Sequence, residues 1–512
     1  MIIERMMHMK KSIEEVKCSK LDHFGRGIAK VNNKVMFVHG LLPKESADVT
    51  VIRENSKYIE AEVSEFASKS LSRQDPPCPY YGICGGCQLM HMTESLQKEF
   101  KESKVKDLLA KFANYHGPIE EMLTGPSYEY RNKITFHVKN KKMGLYEALS
   151  NDIVEIDSCL LLNPVLNQVI PILKEYFHTH EANITKVVLR HTDQGILLGT
   201  DHKEELSTLP LPEGVELCDL EEKTNHTITI GTFQFHASIA SFFQINEKMI
   251  PTLYQQVIDT CKKEKPDKVL DLYCGTGTIG IMVSPYAKEV LGIELCKEAV
   301  EDARRNAQLN RIDNISFIEG KVEENLENLK DADLVILDPP RAGILRQGID
   351  DLLKIGAKTL VYVSCDPATL ARDISLLSSK YEIEKVTPVD MFPNTYHVET
   401  VVLLSHKKPD STISVKVEFG EGEGKVPLDN IAKRAEEYKP KERVTYKMIK
   451  EYIEAKYGFK VHTAYIAEVK RDLGLPMYDA PNAVEELKQP RKHPTAEKVE
   501  AIKDALKHFE VI

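Results

Sequence analysis

The chain has 512 residues, which is too long for one hydrophobic core and predicts about three or four domains. Its apolar fraction of 42% and charged fraction of 29% are typical of a globular protein in water, and no apolar run is long enough to span a membrane. The opening MIIERMMHMKK lacks the charge order of a secretory signal, so a cytoplasmic protein is expected, with ten cysteines that are thiols or metal ligands. The net charge of −10 weighs only mildly against a nucleic-acid partner, because a basic surface can be local.

Residues 12–68 are predicted to form a small β-barrel of the oligonucleotide-binding type. Five short segments, among them KVMFVHG and ESADVTVIRE, have strand character, and glycines and a proline stand at the breaks. Through GRGIAKV and FVHGLLPKESADVTV the segment resembles a TRAM domain, a barrel found on several RNA-modifying enzymes. On these residues alone, a barrel that serves only as a structural lid stays an open alternative.

Residues 75–245 are predicted to form a β-rich central domain that begins with a cysteine-rich loop. The loop CPYYGICGGC holds Cys78, Cys84 and Cys87, and Cys159 is the candidate for a fourth ligand. Four thiolates suit an iron-sulfur cluster or a structural zinc, and the spacing does not choose between them. A helix over 93–114, capped by Thr93, is expected to pack on the domain that follows.

Residues 246–408 alternate strand-like and helical segments, which predicts a doubly wound, Rossmann-like α/β domain. The run DLYCGTG places Gly275 and Gly277 in a turn after a strand, and Glu294 ends the next strand, where it can accept hydrogen bonds from ribose hydroxyls. The glycines also fit the dinucleotide pattern. A nicotinamide enzyme, a methyltransferase and a purely structural turn are therefore all compatible with this motif.

Two polar residues follow buried strand patterns of the same predicted sheet. Asp338 comes after DLVIL and Cys365 after TLVYVS, so both are expected at the carboxyl edge, where α/β proteins bind ligands. Glu399 opens a further strand and can point into the same crevice. The alternatives are a buried cysteine that only fills space and an exposed strand-end glutamate.

Six ordered motifs together resemble the RNA (uracil-5-)-methyltransferase family, specifically its 23S ribosomal RNA branch. They are the three-cysteine loop, SFFQIN, DLYCGTG, LDPPRAG, VYVSCDPATLARD and MFPNTYHVETV, and the likeness covers residues 12–405. It implies that Cys365 is a nucleophile, that Glu399 is a general base and that S-adenosylmethionine is the cofactor. The implied cofactor contacts are Gln244, Tyr273, Gly275, Gly277, Thr278, Glu294 and Asp338, although some members carry asparagine where this chain has Thr278.

The same resemblance implies that Arg341 and His397 lie on the substrate side and that Cys78, Cys84, Cys87 and Cys159 hold a [4Fe-4S] cluster, with zinc as the alternative. The cysteine spacing is not that of radical enzymes, so the predicted cluster is structural or orients RNA. A sheet-edge salt bridge for Arg341 and a loop hydrogen bond for His397 are the competing interpretations.

Uracil chemistry explains why a cysteine and a carboxylate are needed together. Carbon 5 of uracil is too weak a nucleophile to attack a sulfonium methyl group unless a thiolate first adds to carbon 6. The hydrogen on carbon 5 must then be removed by a general base before the sulfur can leave. The predicted partner is RNA, with 23S ribosomal RNA favoured over transfer RNA, and a monomer is favoured. An oxidoreductase and a non-catalytic RNA-binding protein are the other candidate functions.

Residues 409–512 form a predicted helical extension that departs from the family pattern. Two helices are expected to meet at Tyr457-Gly458-Phe459, with Thr445 and His462 or Thr463 as caps. This segment is either a helix-turn-helix that contacts RNA or a helical packing module. Its basic residues are interspersed with acidic ones, which favours the packing module.

Overall fold

The computed structural model describes residues 12–325, 329, 331–407, 446–473 and 494–509. The chain folds as two compact units, Met1–Ser411 and Thr412–Ile512. Among the helices of the described ranges, none combines the length and apolar character that a membrane span requires.

The N-terminal sheet has six strands around its own small core, one more strand than predicted. The predicted first strand is divided because its end changes partners: Cys18 N–H bonds to Glu45 O at 3.0 Å, whereas Ser19 N–H bonds to Ile28 O at 2.8 Å. The strands are β1 (Ser12–Lys17), β2 (Lys20–Leu21), β3 (Gly27–Val31), β4 (Lys34–His39), β5 (Ser46–Glu54) and β6 (Tyr58–Ser68), in the spatial order β1-β5-β6-β4-β3-β2. Their inward-facing side chains form the core, which includes Val16, Ala29, Met36, Val38, Val49 and Ala61.

A long helix, α1 (Glu94–Ala113), follows the cysteine loop. Thr93 is its N-cap, because the Thr93 hydroxyl accepts the Leu96 N–H at 3.4 Å. Its apolar face belongs to the same buried cluster as the C-terminal sheet, through Val105, Leu108 and Leu109. The helix therefore anchors the cysteine region to the α/β domain.

The central domain is a second six-stranded sheet covered by helices. The elements are β7 (Lys133–Lys139), β8 (Lys142–Tyr146), β9 (Ile153–Val154), α2 (Pro164–Asn167), α3 (Ile170–Thr179), β10 (Lys186–Thr192), β11 (Gly195–Thr200), a 3-10 turn at Lys203–Leu206 and β12 (Val215–Asp219). The order is β12-β11-β10-β7-β8-β9, and β11 and β12 are parallel. A separate hairpin follows, β13 (Thr227–Ile230) and β14 (Phe233–His236).

The α/β domain is built on a seven-stranded sheet of order β17-β16-β15-β18-β19-β21-β20. Its strands are β15 (Lys268–Leu272), β16 (Glu289–Glu294), β17 (Ile315–Glu319), β18 (Leu334–Leu337), β19 (Thr359–Ser364), β20 (Tyr381–Val389) and β21 (Glu399–His406). Its helices are α4 (Ile250–Glu264), α5 (Thr278–Val283), α6 (Lys297–Leu309), α7 (Val322–Asn325), α8 (Arg346–Ile355) and α9 (Pro367–Leu377), with a 3-10 turn at Ser284–Tyr286. The first five strands in chain order are parallel, and β21 is antiparallel to β19. Strand order reverses at β15, next to β18, where such sheets bind ligands.

The second unit contains α10 (Tyr446–Tyr457), α11 (Thr463–Asp472) and α12 (Ala496–His508). The helices bury a shared apolar cluster that includes Ile449, Ile453, Ile466, Val469, Ile502 and Leu506. Gly458, with φ of 74°, follows the end of α10 at the predicted junction. His462 directly precedes α11, and the predicted cap Thr445 lies outside the described residues.

Candidate active site

Three strand ends bring the predicted catalytic residues to one edge of the α/β sheet. Asp338 directly follows β18, Cys365 directly follows β19, and Glu399 is the first residue of β21. The antiparallel register pairs Ser364 with Thr400, so Cys365 and Glu399 occupy the next opposed positions. Backbone pairing thus places the thiol and the carboxylate side by side.

Burial raises the pKa values of the acidic groups at this edge of the sheet. Glu399 is only 2% exposed, and burial raises its pKa to about 8, with a further increase from the nearby Asp338 charge. Burial also raises the pKa of Asp338 to about 7. The half-buried Cys365 has a pKa raised to about 11, first by burial and then by Glu399. In the free protein the sulfur is therefore a thiol, and Glu399 is a strong base once it is ionised.

Arg341 lies close enough to Cys365, Glu399 and His397 for its charge to affect all three groups. Arg341 is exposed, and its positive charge opposes the pKa increases of both Cys365 and Glu399. No carboxylate of the described chain lies within ion-pair distance of Arg341, so its charge is available to a ligand. Burial, followed by repulsion from Arg341, lowers the pKa of His397 to about 4, so this imidazole is neutral at neutral pH.

The glycine loop leaves open space beside the sheet edge. Gly275 and Gly277 have φ of 54° and 77°, a conformation that favours glycine. A Cβ on Gly277 would lie 2.8 Å from Phe317, whereas a Cβ on Gly275 would have no atom within 4 Å. The Glu294 carboxylate accepts the N–H of Gly275 at 3.0 Å and of Cys296 at 2.8 Å, which fixes it next to this loop. The loop therefore has both the room and the fixed acceptor that a ribose-containing ligand needs.

Two of the other predicted cofactor contacts, Tyr273 and Thr278, flank this loop in the chain. Tyr273 has φ of 62°, and its hydroxyl donates to Glu323 at 2.9 Å. Thr278 is buried at the start of α5, with its hydroxyl 3.2 Å from that of Thr276. Gln244 is 7% exposed in the segment before α4.

Asp271 is a buried group to which the sequence analysis assigned no role. Its Oδ2 accepts the Gly280 N–H at 2.8 Å, whereas Oδ1 has no partner. Burial raises its pKa to about 7, and the charges of Asp338 and Glu294 add to the increase. Its position at the head of DLYCGTG, on a buried strand that ends at the ligand edge, was the available signal.

The loop 390–397, which joins β20 to β21, the strand that begins at Glu399, is fixed by side chains from outside the α/β domain. Lys101 Nζ donates to Asp390 Oδ1 at 2.6 Å and to the Phe392 carbonyl at 3.0 Å. The Asn394 N–H donates to Gln97 Oε1 at 2.9 Å, although these residues are 297 positions apart. Both Gln97 and Lys101 are buried on α1. Their role is not visible in the sequence, because glutamine and lysine on a helix usually face solvent.

Further donors reach the same loop from the cysteine region and the central domain. The N–H groups of Gln88 and Leu89, which follow Cys87, both donate to the Asn394 carbonyl at 3.0 Å. The Met391 carbonyl accepts Asn246 Nδ2 at 3.1 Å, the Pro393 carbonyl accepts the Tyr130 hydroxyl at 3.0 Å, and the Tyr396 carbonyl accepts Lys104 Nζ at 2.8 Å. The conformation of the loop before Glu399 therefore depends on three separate parts of the chain.

The four predicted metal ligands converge on one cavity of about 550 Å³. Cys78, Cys84, Cys87 and Cys159 line it together with Arg131. None of the four is in a disulfide. Burial raises the pKa of Cys87 to about 12, followed by the charges of the other three thiols. Among the residues that the structure describes, no three His, Cys, Asp or Glu side chains are grouped closely enough to hold a metal ion.

Comparison with known proteins identifies two matching family models. The model described as tRNA (Uracil-5-)-methyltransferase matches residues 222–407, and the TRAM domain model matches residues 8–64.

Curated relatives match over most of their length. An uncharacterized RNA methyltransferase of Clostridium tetani is 35% identical over 75% of this chain and 94% of its own length. One from Staphylococcus aureus is 33% identical over 76% of this chain and 96% of its own length. Among solved structures, the Pyrococcus abyssi tRNA (uracil-54, C5)-methyltransferase in complex with S-adenosyl-L-homocysteine is 25% identical, with a TM-score of 0.61 over 76% of this chain and all of that chain.

Proposed function

The chain belongs to the RNA (uracil-5-)-methyltransferase family and carries a TRAM domain, and from this premise we propose that it methylates carbon 5 of specific uridines in 23S ribosomal RNA through a covalent bond to Cys365. Membership makes it an S-adenosylmethionine-dependent RNA (uracil-5-)-methyltransferase, as the sequence motifs predicted. The opposed positions of Cys365 and Glu399 across β19 and β21 carry the proposal about mechanism.

In the proposed reaction Cys365 loses its proton to water, and its sulfur bonds to carbon 6 of the uracil. The carbon 5–carbon 6 double-bond electrons move toward the carbonyl oxygen on carbon 4, which makes carbon 5 nucleophilic. S-adenosylmethionine, when bound, supplies the methyl group. Ionised Glu399 then takes the proton from carbon 5, the double bond re-forms, and the sulfur leaves carbon 6.

The local charges support these two roles. Arg341 favours the ionised forms of both Cys365 and Glu399, and so assists thiolate formation and proton removal. The neutral His397 is assigned to the substrate side, where a ring nitrogen can hydrogen-bond a uracil edge without adding charge.

The residues around the glycine loop fit S-adenosylmethionine. Gly275 and Gly277 allow a close approach of the backbone, and the fixed Glu294 carboxylate is assigned to the ribose hydroxyls. Gln244, Tyr273, Thr278 and Asp338 are assigned to the remaining contacts. The structural neighbour that holds S-adenosyl-L-homocysteine supports this cofactor.

The four cysteines are assigned to a [4Fe-4S] cluster with a structural or RNA-orienting role. Their convergence on one cavity supports a shared ligand. A structural zinc bound by the same four thiolates is the alternative. Iron and zinc content of anaerobically purified protein, with Cys87→Ser as the control, tests this assignment: zinc without iron would contradict it.

Transfer RNA is the second candidate substrate. The Pyrococcus abyssi neighbour is named for a tRNA uridine and matches 76% of this chain. Mapping 5-methyluridine in ribosomal and transfer RNA from cells that lack this protein separates the two candidates. Loss from 23S ribosomal RNA alone supports the proposal, loss from transfer RNA supports the second candidate, and no loss from either contradicts both.

A further inference from the structure

A rigid turn of the TRAM domain places an aromatic side chain next to the loop 390–397, which leads to Glu399. The Asp22 carboxylate accepts the N–H of Phe24 at 2.9 Å and of Arg26 at 2.8 Å, and pairs with the Arg26 guanidinium at 2.7 Å. Gly25 has φ of 80°, and a Cβ there would lie 2.4 Å from a Leu89 methyl carbon. The turn is therefore fixed internally and packed against the segment that follows the cysteine loop.

The exposed ring of Phe24, at the tip of this turn, contacts the loop 390–397. Phe24 is 54% exposed, which is unusual for a large apolar side chain in a fixed turn. Its ring meets the Tyr396 ring edge-on, with centroids 5.4 Å apart and planes at 85°. Tyr396 directly precedes His397 and is three residues before Glu399. The two rings thus form an aromatic step from the TRAM domain toward the reacting edge.

Two cations, Lys104 and Arg341, lie near this step, together with the carboxylates of Asp22 and Asp366. Lys104 Nζ lies 5.2 Å from the centre of the Tyr396 ring and bonds to the Tyr396 carbonyl. Burial lowers the pKa of Lys104 to about 8, while Asp366, next to Cys365, raises it. In the part of the chain that the structure describes, no carboxylate lies within ion-pair distance of Lys104 or Arg341. Lys104 thus lies beside the aromatic step, and Arg341 is close enough to affect both Lys104 and Cys365. Cations in such positions can bind the phosphates of a ligand.

We propose that Phe24 stacks on the base of a nucleotide adjacent to the target uridine, while Lys104 and Arg341 bind the intervening phosphates. This inference rests on the proposed function and adds an RNA-positioning residue from the TRAM domain. A uridine turned out of its stack leaves its neighbours without a stacking partner, and an exposed aromatic ring replaces that partner for any base. Simple packing between domains would not leave over half of the Phe24 side chain exposed.

The test measures methylation kinetics of the full chain on a short RNA hairpin that contains the mapped uridine. Phe24→Ala should raise the KM for RNA by about 5- to 100-fold, the range expected for one lost base stack. Phe24→Tyr should have a KM for RNA close to that of the wild-type protein, because it keeps the aromatic ring. Phe112→Ala, which removes another exposed ring, from α1, is the matched control and should behave as wild type.

A series of RNAs with abasic positions identifies the stacked base. Each nucleotide next to the target is replaced in turn by an abasic one, and at one of these positions Phe24→Ala should cause no further loss. If Phe24→Ala leaves the KM for RNA unchanged, or if its loss is the same on every abasic RNA, the inference is wrong. If wild-type protein methylates no RNA at all, the proposed function itself fails, so the two failures are distinguishable.

Discussion

The reacting edge of the sheet and the loop that leads into it are specified in different ways. Asp338 and Cys365 lie at the ends of consecutive parallel strands, so their meeting follows from local patterns and backbone pairing. The loop 390–397 instead takes its shape from partners up to 297 positions away, including Gln97 and Lys101. The strand-end residues can therefore be found in short motifs, whereas the conformation of the loop before Glu399 depends on contacts between distant segments.

The largest expected effect comes from the sheet edge. Cys365→Ala should lower kcat by at least roughly 10³-fold, because alanine has no group that can add to carbon 6. Binding of S-adenosylmethionine should be unchanged, as measured by calorimetry. Substantial methylation by this variant would mean that the strand-end thiol is not the nucleophile.

Breaking the loop's distant support should have the next largest effect. Lys101→Met leaves the Asp390 carboxylate buried without its partner, which costs about 3–5 kcal/mol. Adding Asp390→Asn should restore the Tm. The double variant should still show a kcat lowered by about tenfold or more, with an unchanged KM for S-adenosylmethionine, because the Phe392 carbonyl has lost its donor.

Lys98→Met is the matched control on the same helix. Lys98 pairs with Glu121 at the surface, where solvent screens an ion pair and leaves it with little effect on stability. The Tm and kcat of the Lys98→Met variant should match those of the wild-type protein. If the double variant at Lys101 and Asp390 also has wild-type kcat, the loop does not depend on this support.

The strand ends that carry Asp338 and Cys365 could be predicted from the sequence, whereas the partners that fix the loop 390–397 could not. Asp338 and Cys365 follow strands buried on both faces, a pattern that is visible without any structure. Lys101 lies on a helix with other lysines, and only the folded chain shows that it is fully buried beside Asp390. Asn394, with φ of 67°, likewise acquires its role only when Gln97 reaches it. Local patterns encode strand ends, but they do not encode partners from another domain.

Burial of Glu399 should have a smaller effect on thermal stability, and this effect should vary with pH. The pKa of Glu399 is about 8 in the folded protein, above its ordinary value of 4.5. Between these pH values the folded state therefore retains a proton that the unfolded state loses. Stability from this group is present below pH 4.5 and is lost as pH rises to about 8. Glu399→Gln should therefore have a Tm advantage over wild type that grows between these pH values and then levels off. A Tm difference that is independent of pH would contradict the raised pKa.

The smallest effect is expected from the second unit. Its helices bury their own apolar cluster, and Lys456 pairs with Asp504 within the unit at 2.8 Å. Deleting residues 412–512 should leave kcat and RNA affinity close to those of the full chain, as measured by methyl incorporation and filter binding. A large loss of RNA affinity would support the helix-turn-helix interpretation instead.

The most direct test of the central claim is to trap the covalent bond between Cys365 and RNA. Glu399→Gln retains the nucleophile but cannot remove the carbon 5 proton, so with S-adenosylmethionine and substrate RNA it should accumulate an adduct that survives a denaturing gel. Peptide mass spectrometry should locate a methylated uridine on Cys365, and the adduct should be absent from the variant that also carries Cys365→Ala. Release of free methylated RNA by Glu399→Gln at the wild-type rate, with no adduct at any time, would contradict the account.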